Sequence, residues 1–213
     1  MNVLLFGPPG SGKGTQAAEV AAKLGIPHVA TGDIFRKHLR EGTELGKLAR
    51  SFMDKGQLVP DSVTCDLVAS RLVEDDALQG ALLDGFPRSV PQAEWLLGWW
   101  RERGTGIGRV LNLVVADEAI VERLAGRRSC MNCGATYHVR TAPPAPDGTC
   151  KKCGAEVVQR KDDADETIRE RLAVYNAQTA AVLPLLRAAG PVSDLDGLGT
   201  IDEVRTRIAA ALA

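Results

Sequence analysis

The first fifteen residues commit the chain to a fold. An apolar run, Asn2-Val3-Leu4-Leu5-Phe6, passes straight into Gly7-Pro8-Pro9-Gly10-Ser11-Gly12-Lys13-Gly14-Thr15, and a helix-like stretch follows at residues 16–24. A strand, a glycine-rich loop closing on lysine, and a helix in that order make a P-loop. Glycines let the backbone turn with positive φ and approach a ligand closely. Successive N–H groups then point into one concavity at a helix N-terminus, where the macrodipole also favours an anion. Lys13 adds a full positive charge, and Ser11 is expected to point outward. The loop departs from the general pattern once. Gly14 stands where Ser or Thr is usual and Thr15 follows it, so a magnesium-facing hydroxyl is displaced by one residue or absent.

Strand-like and helix-like segments alternate through the rest of the chain. Strands are expected at residues 28–30, 81–83, 109–116 and 192–195, and helices at 61–75, 91–103, 117–125, 165–189 and 200–212. Thr31-Gly32-Asp33 reads as a helix cap, and residues 34–54 as helical patches broken by Gly42 and Gly46. Strands separated by helices argue for a parallel sheet with helices on both faces. Ligands sit beyond the carboxyl ends of such strands. The loops 7–15, 31–36 and 84–88 leave those ends and should converge on one cleft. At 213 residues the chain suits one α/β domain with small insertions. A formal net charge of -1 gives no reason to expect a nucleic-acid partner, and no aromatic-rich basic patch is present. No apolar run approaches a membrane span. A core strand directly at the start leaves no secretory signal, so a cytoplasmic location is expected. No exposed apolar stripe argues against a monomer.

Two further features carry chemistry. Asp84 ends a strand, in the position of a carboxylate that supports magnesium beside a P-loop; a turn or cap aspartate is the blander alternative. Four of the five cysteines form Cys130-x2-Cys133-x16-Cys150-x2-Cys153. In a reducing compartment this spacing favours a metal over disulfides. Four thiolates make a closed tetrahedral site, which means structural zinc. Iron could occupy the same thiolates, and an oxidised sample could form disulfides. Cys65 reads as a small buried apolar residue. Trp95 and Trp99 share a helix face and should pack on the sheet, with Trp100 pointing elsewhere. Arg36, Arg88, Arg123, Arg127, Arg160 and Arg171 flank loops or helix ends, but composition alone cannot choose them from other surface charges.

The ordered set GPPGSGKGTQ, ATGDIFR, GQLVPD, LLDGFPRS with PQAE, GRR and RKDDADETIRERL spans nearly the whole chain. Together these motifs closely resemble the adenylate kinase family, and the cysteine-bearing insertion resembles its long-lid, zinc-binding members. The resemblance implies a single P-loop kinase domain over 1–213, with a core of 1–29, 60–125 and 164–213. A nucleoside-monophosphate-binding helical flap would span 30–59 and a zinc lid 126–163. It implies Mg2+-dependent transfer of the γ-phosphoryl of ATP to AMP, giving two ADP. Gly10, Ser11, Gly12, Lys13, Gly14 and Thr15 would cradle the ATP phosphates. Arg123, Thr136, Tyr137 and the backbone of Gly199 would lie around the rest of ATP. Thr31, Arg36, Gln57, Leu58, Val59, Gly85, Phe86, Pro87, Arg88 and Gln92 would hold AMP, with Gln92 at the adenine edge. Arg127, Arg160 and Arg171 would close on the phosphates in transit, Arg127 from the ATP side and the other two from the AMP side. Asp162 and Asp163 would tether or hinge the lid. The rivals are a kinase of another nucleoside monophosphate, a P-loop hydrolase and a zinc-ribbon nucleic-acid binder.

Overall fold

The computed structural model describes all residues, 1–213. The chain begins with β1 (Asn2–Phe6), α1 (Lys13–Leu24), β2 (His28–Ala30), α2 (Thr31–Arg40), α3 (Glu44–Met53) and α4 (Asp61–Leu72). Next come β3 (Leu82–Asp84), α5 (Val90–Glu102), β4 (Ile107–Val114) and α6 (Asp117–Ala125). The cysteine-bearing insertion holds β5 (Arg127–Cys130), β6 (Thr136–His138) and β7 (Val157–Val158). The chain closes with α7 (Asp165–Val174), α8 (Leu183–Ala189), β8 (Val192–Asp196) and α9 (Ile201–Leu212).

Five strands form one sheet in the order β2-β3-β1-β4-β8, every neighbour parallel. β1 is buried along its whole length. A parallel strand covered on both faces needs apolar residues at nearly every position rather than at every second one. Val3, Leu4, Leu5 and Phe6 supply them, and the buried Asn2 amide is satisfied by the Gly106 carbonyl and the Ala81 N–H. Side chains still alternate. Leu4 and Phe6 enter a core with Val68, Leu96, Trp100 and Leu186. Val3 and Leu5 enter the opposite core with Ala17, Val20, Val204 and Ile208. The helices are closed by local chemistry. α1 ends on Gly25 in the left-handed region, the Ser89 side chain accepts from the Gln92 N–H to cap α5, and Thr200 and Glu203 form a capping box on α9.

Several expectations shift. Thr31 lies inside α2, and Ala30 occupies the cap position. The tryptophan reading holds in part: Trp95 and Trp99 pack against the core, partly exposed at its edge, but Trp100, expected to point elsewhere, is buried in it beside Ala93 and Leu96. Trp99 lies under the Arg103 guanidinium at 3.8 Å. Residues 165–189 are not one α-helix. A π turn at Tyr175–Thr179 and a 3-10 turn at Ala180–Val182 separate α7 from α8. Pro184 sits in the first turn of α8, where it gives up no helical hydrogen bond. Cys65 is buried as expected.

The insertion folds as an antiparallel sheet, β6-β5-β7. None of its residues joins any of the apolar clusters of the molecule. The segment α2–α3 closes a small core of Phe35, Ala49 and Val59 with Leu67 of α4. No helix is long and apolar enough to cross a membrane.

Candidate active site

Parallel pairing puts the carboxyl ends of β1, β2 and β3 at one edge of the sheet, so the three loops meet as expected. The Thr31 hydroxyl donates to the Gly85 carbonyl at 2.9 Å, joining the second loop to the third. In the first loop, Gly10 and Gly12 hold φ of 79° and 101°. Between them Ser11 is driven inward and is buried, against the expectation that it points out. Its hydroxyl lies 3.4 Å from the Lys13 ammonium, which donates to the Gly7 and Pro8 carbonyls at 2.7 Å each. Arg123 bridges this loop to the last one, donating to the Gly197 carbonyl at 2.9 Å and to that of Ser11 at 3.5 Å.

In the third loop Gly85 has φ of 75°, and a Cβ there would stand 2.6 Å from the Arg88 guanidinium. Only glycine allows Arg88 to fold back, its Nε donating to the Gly85 carbonyl at 2.7 Å. Phe86 turns into the core and meets Trp95 edge-on; the Phe86–Pro87 peptide is cis. Gln92 is buried, accepting from the Arg88 N–H at 2.8 Å and donating to Asp61 at 2.7 Å. Arg36 pairs with Asp33 at 2.6 Å. Val59 is buried in the small core with Phe35, Ala49 and Leu67, while Gln57 is exposed.

The insertion arginines are anchored from below. Arg127 grips Asp163 through two bonds, at 2.5 and 2.7 Å. Arg171 of α7 reaches Asp162 at 3.0 Å and Asp163 at 3.3 Å. Asp163 is fully buried. The expected tether is therefore present as a carboxylate shared between insertion and core. Arg160 donates to the Ser129 hydroxyl at 2.8 Å. A cavity of about 190 Å³ lies between α2 and the insertion, with Asp33, Arg36 and Arg40 on one wall and Ser129, Cys133 and Arg160 on the other.

The four cysteine sulfurs lie within 4.8 Å of one another. Cys130–Cys153 and Cys133–Cys150 are 3.5 and 3.6 Å apart. Those spacings approach the roughly 3.8 Å edge of a tetrahedron with metal–sulfur bonds of about 2.3 Å. The donor set and its shape fit a tetrahedral metal ion. Tyr137 turns its phenol to Cys150 Sγ at 3.2 Å, and this bond pulls the Cys150 thiol down to about 6, toward the thiolate that binds metal. Thr136 is exposed on β6.

The family model described as Adenylate kinase matches residues 5–190. The adenylate kinase of Thermoanaerobacter sp. (strain X514) is 50% identical over 212 residues, covering 100% of this chain and 98% of that protein. The adenylate kinase of Caldanaerobacter subterraneus subsp. tengcongensis is also 50% identical, covering 100% and 96%. That of Moorella thermoacetica is 49% identical, covering 100% and 98%. The chain belongs to the adenylate kinase family.

For an adenylate kinase the electrostatics of the cleft are apt. Burial pushes Lys13 down to about 8, with Arg88, Arg171 and Arg127 adding to the effect and Asp84 opposing it. Burial likewise lowers Arg160 to about 9 and Arg171 to about 10. Burial alone would raise Asp84, but His28 (3.5 Å away), Lys13 and Arg88 prevail and keep the carboxyl below its ordinary range. The cleft thus gathers more cations than its own carboxylates balance. Such a field favours a polyanion.

Sequence reasoning missed Asp61, Ser129, Gly197 and Thr179. Asp61 reads as a helix-start residue, yet it accepts from Ser89 and Gln92. The others are small residues whose partners are distant in the chain and leave no local signal.

Proposed function

We propose that this cleft carries out the family reaction, reversible transfer of the terminal phosphoryl group of ATP to AMP to give two ADP, on nucleotides held face to face. The observation that carries this reading is the convergence of the Lys13, Arg36, Arg88, Arg127, Arg160 and Arg171 side chains around the edge where β1, β2 and β3 end. The backbone of residues 10–15 and Lys13 hold the ATP tail. Arg123, Thr136, Tyr137 and the Gly199 backbone surround the rest of ATP. Arg36 and Arg88 grip the AMP phosphate, while Thr31, residues 57–59, the 85–87 backbone and Gln92 enclose its nucleoside. Arg127, Arg160 and Arg171 stabilise the charge that spreads over the moving phosphoryl oxygens. The attacking AMP oxygen is already ionised, so no general base is needed. Magnesium would come with ATP and supply neutralisation of phosphate charge; Asp84, whose carboxylate lies beside Gly14 of the loop, would hold it or its waters.

Residues 30–59 act as a flap over AMP and 126–163 as a lid over ATP. Their closure expels water and assembles the arginines only around both substrates. A coupled assay with ATP, AMP and magnesium tests the reading, compared across AMP, GMP, CMP and UMP. Phosphate release from ATP without AMP, or an equal or faster rate on another monophosphate, would overturn it.

Zinc is the metal we assign to Cys130, Cys133, Cys150 and Cys153, where it would cross-link a lid that has no apolar core. Chelation, or Cys130→Ser, is expected to expose residues 126–163 to protease while the sheet stays folded. Identical digestion patterns with and without metal would show the ion to be incidental.

Lys13 supplies a pH signature. A triphosphate beside it restores the protonated state that burial disfavours, so ATP binding takes up a proton above pH 8. Calorimetry at pH 9 in two buffers of different ionisation enthalpy reads this uptake directly, and Lys13→Met is expected to remove the Lys13 share of it.

A further inference from the structure

The π turn at Tyr175–Thr179 carries one residue more than an α-helical turn would. That residue rotates everything after it by about 100° around the helix axis. The turn ends on Thr179, which is buried. Its hydroxyl donates to the Arg88 carbonyl at 2.7 Å, across 91 positions of sequence. The N–H of the same Arg88 is held at 2.8 Å by Gln92 Oε1. Gln92 is fixed in turn by Asp61, which also receives the Ser89 hydroxyl at 2.9 Å. The backbone of Arg88 is therefore clamped on both sides, by α5 through its N–H and by the π turn through its carbonyl. No residue of the P-loop or of the lid takes part in this clamp.

We propose that Thr179 is a positioning residue for AMP, its hydroxyl fixing the main chain of Arg88 so that the guanidinium meets the AMP phosphate. The proposal rests on the reading of Arg88 as a grip on that phosphate. It gives the π turn a purpose: the extra residue brings a hydroxyl from the middle of the helical segment 165–189 onto the 85–88 loop. Without it the Arg88 carbonyl loses its donor, and the loop loses the restraint that opposes rotation of the Arg88 backbone.

The test measures Kd for AMP alone and for ATP alone by calorimetry on the full chain, together with the melting temperature. Thr179→Val keeps the shape and removes the donor. It is expected to weaken AMP binding about ten-fold, the size of one hydrogen bond, with ATP binding little changed and the melting temperature lowered by about 2–4 °C, the general cost of the lost bond. Thr179→Ser restores AMP binding. Unchanged AMP affinity in the folded Thr179→Val protein overturns the proposal, and so does equal weakening of ATP and AMP. If Thr179→Val does not fold, Thr179→Ala is measured against Thr179→Ser by the same criteria. Arg88→Ala separates the two levels. If it leaves AMP affinity intact, the reading of Arg88 is wrong. If it weakens AMP binding while Thr179→Val does not, the fault lies with Thr179 alone. In the double variant the two effects should not add.

Discussion

Lys13→Met should lose about 10²–10³-fold in turnover, the range for removal of one preorganised charge from a developing anion. The loss should appear in kcat more than in KM for AMP, because the loop that holds Lys13 lies on the far side of the cleft from Arg36. Turnover within a few-fold of the parent would refute the assignment of the ATP tail to residues 10–15. The same substitution has a readout in stability. The folded chain holds Lys13 near 8, against an ordinary 10.5. Between those values the unfolded chain keeps a proton that the folded chain has released, so stability rises with pH across this window. Below it both states are protonated and the penalty of the buried charge is constant. Parent and Lys13→Met should therefore diverge in denaturant midpoint as pH climbs from 8 to 10.5, the parent gaining. Parallel curves would mean that the ammonium is not disfavoured by its surroundings.

Asp163→Asn should be the most destabilising single substitution at the site. One fully buried carboxylate balances Arg127 from the insertion and Arg171 from α7. Removing its charge leaves both guanidinium groups facing each other in a poorly solvated place. Breaking a buried pair from one side costs about 3–5 kcal/mol. Much of that should fall locally, where β5 meets α7, so protease should cut within residues 126–163 before the sheet unfolds. Activity should fall as well, because two of the arginines proposed to meet the moving phosphoryl lose their anchor. Asp162→Asn should be milder, since Asp162 is partly exposed and meets Arg171 alone within 4 Å. Unchanged melting and digestion in Asp163→Asn would show the tether to be dispensable.

Much of the architecture is readable without coordinates because parallel strands announce themselves. Leu4 and Leu5, or Val110 and Leu111, are adjacent apolar residues that enter opposite cores, so β1 and the centre of β4 read as near-continuous apolar runs, while the edge strand β8 does not. The P-loop is readable because its glycines are spaced by the ligand it curves around. The arginines are a different matter. Arg88 and Arg101 look alike as letters, and only the family resemblance separated the one in the cleft from the one on a helix surface. The failures share a cause. A hydrophobic period of 3.6 residues blurs over twenty-five positions, so one inserted residue at 175–179 is invisible to it. The direction of Ser11 is set by the φ values of Gly10 and Gly12, which composition does not encode. Trp95 and Trp99 satisfy helical spacing, yet the stripe through Ala93 and Leu96 decided which indole was buried. Asp61 and Thr179 act through partners tens of residues away.

The insertion contributes nothing to the apolar cores of the molecule. Beyond its own small sheet, its order rests on four clustered sulfur atoms at one end and, at the other, on ion pairs of Asp162 and Asp163 with Arg127 and Arg171, with Arg140 and Glu122 paired at the surface. A module built that way can be exchanged like a fitting. Its loops can lengthen, shorten or change sequence between Cys133 and Cys150 without disturbing the sheet, provided both fixtures survive. Heat tolerance of the insertion and heat tolerance of the body it is fixed to should then be separate traits, open to adjustment one at a time.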